Sequence, residues 1–197
     1  GSVGPGTKLP TLGQIGFYAL LDGYRRQCDG LIEGGADMLI IETVQDLLQA
    51  KAAVIAAKEA MNAAKKSLPI FVSVTVERTG ALLTGSDVSA VIAALEPLGI
   101  DVLGLNCATG PTAMRPHLQA MARRWTKGMG LYPNAGLPVL GENGAVYPES
   151  PEEFAAAISE FVAGLPIGIV GGCCGTTEAH IRALAKVVEN AAPAVDL

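Results

Sequence analysis

No run of apolar residues in this chain approaches the roughly 20 needed to cross a bilayer. The longest, Met38 to Ile41 and Ile70 to Val76, have the length of strands. No basic-then-apolar leader opens the chain, so the expectation is a cytoplasmic protein without membrane contact. Basic clusters are missing too. The densest pieces are Lys65-Lys66 and Arg123-Arg124 and the formal net charge is −5, so nothing here tracks a phosphate backbone and nucleic acid is excluded as a partner. Charge of either sign is scarce, at 17% of the 197 residues against 50% apolar, with a mean hydropathy of +0.38. That balance excludes a disordered tail and leaves a globular chain able to bury a core. Histidine is limited to His117 and His180, both on helical stretches without a partner at ligand spacing, and both are read as surface residues. Cysteine is limited to four. Two of them are adjacent and flanked by glycines, poor geometry for disulfide staples, so reduced thiols with metal or redox use are expected.

What is present is a repeated alternation. Five apolar, branched segments (Asp37 to Glu42, Pro69 to Val76, Asp101 to Asn106, Met129 to Tyr132, Ile167 to Val170) each precede a stretch with helical periodicity. Their starts are roughly 30 to 40 residues apart, the size of a βαβ unit. Near-continuous apolar runs indicate strands covered on both faces, hence a parallel sheet. A first helix shows a stripe of Phe17, Leu20, Leu21, Tyr24, Cys28, Leu31 and Ile32,. A second runs from about Gln45 to Ala64, and a third starts at Ser86 or Asp87. The fourth has Pro111 in its first turn with Met114, Leu118 and Met121 facing in,. The fifth has Ser150 as N-cap with Glu153 completing a capping box,. The last begins near Thr176-Thr177 and is expected to bury Ile181, Leu184, Ala185 and Val188.

A weak internal repeat aligns Gly35 to Thr43 without gaps on Gly99 to Cys107. It makes Glu42-Thr43 and Asn106-Cys107 equivalent polar residues at strand ends, where βα folds build their sites. Gly171-Gly172-Cys173-Cys174-Gly175 follows the last apolar strand directly. Adjacent side chains on a strand point to opposite faces, so two neighbouring thiolates meet one metal only where the backbone leaves strand geometry, which the glycines permit. If Cys107 lies beside them, three sulfurs converge on one zinc at about 2.3 Å and leave a fourth position open, the arrangement of a catalytic site. Thiolates select zinc over hard cations. Coordination keeps a substrate thiol deprotonated at neutral pH, ready to attack a methyl group.

Each of these residues has a plainer alternative. Cys28, on a helix stripe, is read as packing. Cys107 alone could be packing as well, and the Cys173-Cys174 pair could serve a structural zinc or a redox couple. Glu42 could be a solvated rim carboxylate, and Asn134 a simple turn residue.

Taken together, Gly1 to Pro5, Ile41 to Asp46, Leu105-Asn106-Cys107-Ala108-Thr109-Gly110-Pro111, Pro133-Asn134-Ala135-Gly136 and Gly171 to Thr176 resemble the homocysteine S-methyltransferase family. The stretch Glu42 to Lys51 is most similar to the homocysteine-binding module of its cobalamin-dependent members. The resemblance implies a (β/α)8 TIM barrel in which Cys107, Cys173 and Cys174 bind zinc and, through it, the thiolate of homocysteine. It implies that Glu42 holds the substrate ammonium, and it puts Asn134 in a motif beside the pocket, taken with Glu42 as substrate-binding. Methylcobalamin on a separate module would supply the methyl group, recharged by a folate-binding module, and methionine would be the product. S-methylmethionine or a betaine-like compound is the alternative donor, and a catalytically silent zinc-binding fragment the alternative role. A full barrel takes about 250 residues. The expectation is therefore one partial barrel domain over 1–197, holding about the last five βα units, with the first two strands and most of the third missing.

Overall fold

The computed structural model describes residues 1–142 and 144–189. Its strands are β1 (Ser2–Val3), β2 (Leu39–Val44), β3 (Ile70–Val74), β4 (Val102–Asn106), β5 (Gly128–Tyr132), β6 (Val139–Gly141), β7 (Gly144–Val146) and β8 (Ile167–Val170). The helices are α1 (Phe17–Glu33), α2 (Leu47–Ala64), α3 (Val88–Leu95), α4 (Pro111–Ala122), α5 (Pro151–Gly164) and α6 (Glu178–Val188). Six strands make one sheet in the order β1-β2-β3-β4-β5-β8. Every pairing within it is parallel, as βα alternation requires. The segment Gly1 to Pro5 supplies β1, which pairs with β2 through Ser2–Ile40 and Val3–Ile41.

Local chemistry sets the elements. Helix α2 is capped by Asp46, whose carboxylate accepts from the N–H groups of Leu48 and Gln49,. Six of its alanines (Ala50, Ala52, Ala53, Ala56, Ala57, Ala60) are fully buried, so small side chains bring it close to its neighbours. Helix α5 begins with the expected box, in which Ser150 and Glu153 satisfy each other's backbone N–H,. On the inner face of the sheet the Phe71 ring lies across Gly104 and Gly130 on the next two strands. A Cβ at Gly130 would stand 2.2 Å from that ring and one at Gly104 2.6 Å, so both glycines are notches cut for the phenyl group. Tyr132 meets the same ring edge-on, with centroids 5.7 Å apart.

Three expectations are corrected. A two-stranded antiparallel hairpin, β6–β7, lies between β5 and α5 outside the main sheet. Helix α6 buries Leu184 and His180, while Ile181 and Val188 are 45% and 40% exposed and Ala185 is exposed too. His180 is not a surface residue: it is 7% exposed, with Nδ1 toward Thr177 and Nε2 toward the Glu149 carbonyl at 3.0 Å. His117 is half-buried, and desolvation lowers its pKa. Among the described residues no helix is long and apolar enough to cross a membrane.

Candidate metal centre

The strand ends carry the chemistry. Strand β2 passes through a register irregularity between Ile41 and Val44, where Thr43 takes φ 58°. Cys107, its counterpart in the sequence repeat, takes φ 62°, and Ala108 follows at 55°. Left-handed backbone is costly for any residue with a Cβ. It recurs at both repeat positions because it turns a side chain that would stand beside the sheet across the strand ends instead. At Cys107 that side chain is a thiol.

The other two thiols come from the loop after β8. Its backbone is tied down by the Cys173 N–H on the Pro133 carbonyl (2.8 Å) and by the Ala135 N–H on the Cys174 carbonyl (2.9 Å). The Cys174 N–H donates to Asn134 Oδ1 (3.1 Å), and Thr176 Oγ1 donates to the Cys173 carbonyl (2.6 Å). A Cβ at Gly172 would collide with the Thr176 side chain. At Gly175, φ is 78° and a Cβ would stand 2.2 Å from the Tyr147 ring. Space therefore disfavours a side chain at both glycines flanking the pair, and at Gly175 the backbone angle does so as well.

The result is a cluster of three sulfurs, Cys107, Cys173 and Cys174, all within 4.8 Å of one another. Cys107 and Cys174 are 3.9 Å apart, as are Cys173 and Cys174. Tetrahedral coordination with bonds of about 2.3 Å puts sulfurs about 3.8 Å apart. The donor set and its spacing thus fit a zinc ion held by three thiolates. The neighbouring Cys173 thiol brings the Cys107 pKa down to about 6 against the opposing effect of burial. Cys173 is shifted upward by the same contact and by its own partial burial. Cys28 stands apart, a free and fully buried thiol on α1 whose pKa burial pushes up to about 11. That agrees with its reading as packing.

Beside the cluster is a cavity of about 270 Å³ on the concave face of the sheet, lined by Ile40, Glu42, Phe71, Tyr132, Ile169 and Gly171 among others. Glu42 is half-buried and its carboxylate accepts a hydrogen bond from Ser2 Oγ. The Tyr132 hydroxyl is buried beside Ser73, and among the described residues it makes no hydrogen bond of good geometry. Its pKa is raised by burial, with the Glu42 carboxylate and Cys173 adding to the shift. Glu42 therefore opens into the same space as the thiol loop. Asn134 is placed differently: only 2% exposed, its side-chain oxygen is taken by the Cys174 N–H.

Two further residues lie near the cluster. Asn106 ends β4 fully buried and reaches Thr43, Ser73 and Cys173 with its amide. Its signals in the sequence are its place opposite Glu42 in the internal repeat and a polar side chain closing an otherwise apolar strand; its partners are not among them. Tyr147, directly after β7, sets its ring against Gly175 beside the thiol loop. Its pKa is raised, first by desolvation and then by the neighbouring sulfurs. Nothing in its sequence setting marks it.

Comparison with known proteins adds relatives to this geometry. The family profile described as Homocysteine S-methyltransferase matches residues 1–188. The chain is 51% identical over 190 residues to the Methionine synthase of Mycobacterium tuberculosis (strain ATCC 25618 / H37Rv), covering 96% of this chain and 16% of that protein. To the Methionine synthase of Mycobacterium leprae (strain TN) it is 51% identical over 188 residues, with 95% and 16% covered. It thus spans about a sixth of the length of these relatives. Among solved structures, the apo form of the homocysteine methyltransferase MmuM from Escherichia coli superposes with a TM-score of 0.70 at 24% identity, over 95% of this chain and 61% of that one. The metallated form of MmuM gives 0.65 at 23% identity, over 94% and 59%. At that identity the likeness is one of fold: the parallel βα units here correspond to part of a (β/α)8 barrel.

Proposed function

The chain belongs to the homocysteine S-methyltransferase family, and from that premise we propose that it is the zinc-dependent, homocysteine-activating part of a methionine-synthase-type enzyme. The observation that carries the reading is the convergence of three thiols, from loops 67 residues apart in sequence, at tetrahedral spacing on the rim of a cavity that holds a carboxylate. When bound there, zinc would supply a Lewis acid with one open position for the substrate sulfur, keeping it deprotonated at neutral pH. The chain's own residues divide the remaining work. Cys107, Cys173 and Cys174 hold the metal. Glu42 faces the substrate ammonium, an anion opposite a cation in a half-buried cavity where the pairing is only partly screened. Phe71, Ile40 and Ile169 line the space for the intervening methylenes and exclude water from it. Asn134 acts through the loop it fixes, holding the Cys174 backbone, so its contribution to substrate binding is indirect.

In this reading residues 1–197 form a single partial homocysteine-binding barrel domain. The methyl donor is methylcobalamin carried by another module of the parent protein, itself recharged by a folate-binding module. The 51% identity with methionine synthases across almost the whole chain supports methionine as the product, and cobalamin as the donor rests on the resemblance of Glu42 to Lys51 to the cobalamin-dependent members.

The test is metal content and methyl transfer in the parent protein. One zinc per chain is expected, falling well below stoichiometry in Cys107→Ala or Cys174→Ala with methyl transfer lost. Full transfer by Cys107→Ala would overturn the assignment. Methionine formed with S-methylmethionine or betaine as sole donor, and none with methylcobalamin, would move the protein to the other branch of the family.

A further inference from the structure

Asn106 has no exposed surface, and its amide orientation is fixed by its neighbours. Oδ1 accepts from the Thr43 N–H at 3.0 Å and from Ser73 Oγ at 2.8 Å. A backbone N–H can only donate, so the NH2 end must point the other way, at Thr43 Oγ1 (2.8 Å) and at Cys173 Sγ (3.9 Å). One side chain therefore joins the end of β2, the middle of β3 and the loop after β8.

Two consequences follow. An oriented N–H directed at a sulfur stabilises that sulfur as a thiolate and shares its charge. And Thr43, in the left-handed conformation, is gripped at both its N–H and its hydroxyl by the same amide, immediately after Glu42. We propose that Asn106 is a positioning residue that stabilises Cys173 as a metal ligand and sets the distance from that ligand to the Glu42 carboxylate. In doing so it fixes the length of aminothiol the cavity accepts, favouring homocysteine over cysteine, which is one methylene shorter. The second half of this proposal rests on the reading of Glu42 as the ammonium site.

The experiment uses the full chain loaded with zinc, and separately with cobalt(II). Asn106→Asp keeps an acceptor for the Thr43 N–H and for Ser73 but turns an oxygen toward Cys173 in place of the N–H. Zinc affinity by chelator competition should fall about 10- to 100-fold, and the thiolate-to-cobalt charge-transfer band should move to longer wavelength. Thr43→Ala removes the hydroxyl half of the tie to β2, keeps the bond from the residue-43 N–H to Asn106 Oδ1, and leaves Cys173 untouched. Its zinc affinity and cobalt band should match the parent, while its preference for homocysteine over cysteine, measured by calorimetry, should narrow several-fold. An Asn106→Asp chain with unchanged affinity and band overturns the ligand half. A Thr43→Ala chain with full preference overturns the spacing half. A parent chain that binds zinc but shows no preference for homocysteine overturns the functional reading and the spacing half together, with the metal arm still deciding the ligand half.

Discussion

Gly175 shows how closely the site is fitted at the scale of single residues. Its φ of 78° and the 2.2 Å that would separate a Cβ from the Tyr147 ring leave no room for alanine, because the obstacle lies at the root of that ring, close to the backbone. Gly175→Ala should cost about 1 to 3 kcal/mol in stability from overpacking and backbone strain, read from urea denaturation. It should also weaken metal binding, because the loop moves with it. Tyr147→Phe keeps the ring on Gly175 and removes only the hydroxyl near Cys174. Its stability should match the parent within about 0.5 kcal/mol, and an equal loss in both variants would show that packing on Gly175 is not what matters. The three metal-ligand candidates and Glu42 were legible from residue type, glycine context and strand-end position. The repeat marked the strand-end position of Asn106 but not its role, and Tyr147 was not marked at all. The burial that gives an amide its role, and the hairpin that delivers a tyrosine to a sulfur 27 residues on, are tertiary facts without a local pattern.

Elements were legible wherever the signal was strong and local. The apolar runs ending in Asn106 and Tyr132 became β4 and β5 with those residues as their last, and the box at Ser150 became the start of α5. That cap is worth about 1 kcal/mol, so Ser150→Ala should lower unfolding stability by about that amount, and no change would mean that Glu153 alone holds the helix end. The hairpin escaped because Val139-Leu140-Gly141 and Gly144-Ala145-Val146 are short, glycine-rich and outside the sheet. Leu140 is 94% exposed there, so no buried stripe announces the strands. In α6 the apolar pattern misled. The Thr177–His180 bonds and the contact of His180 with the Glu149 carbonyl turn the helix so that an imidazole, packed edge-on against Phe154, occupies the core side and Ile181 faces out.

At the scale of the whole molecule, buried ionisable groups govern the response to alkali. Cys28 has its thiol pKa raised from 9.0 to about 11 by burial. Below pH 9 both folded and unfolded chains hold the proton. Between about pH 9 and 11 only the unfolded chain gives it up, so stability falls as pH rises through that window. The buried Tyr24 and Tyr132, whose pKa values are also raised, push in the same direction. Thermal melts from pH 8 to 11 should show the parent losing more stability than Cys28→Ala. Parallel curves would mean that the thiol titrates in the folded state as it does in the unfolded one.

The sulfurs reach across the sheet in a particular way. Cys107 follows β4, Cys173 and Cys174 follow β8, and β5 lies between them. Among the described residues β8, like β1 at the opposite edge, has a main-sheet neighbour on one side only, so it is free to peel away with α6. An ion bridging the two loops would act as a clasp on that margin, and whatever free energy binds the ion also resists fraying there. Chelation should therefore quicken amide exchange in β8 and α6 while leaving β3, paired on both sides, unchanged. The same clasp would make cargo and scaffold inseparable: a chain that has lost its ion would have lost the grip of its last two elements before any chemistry is attempted.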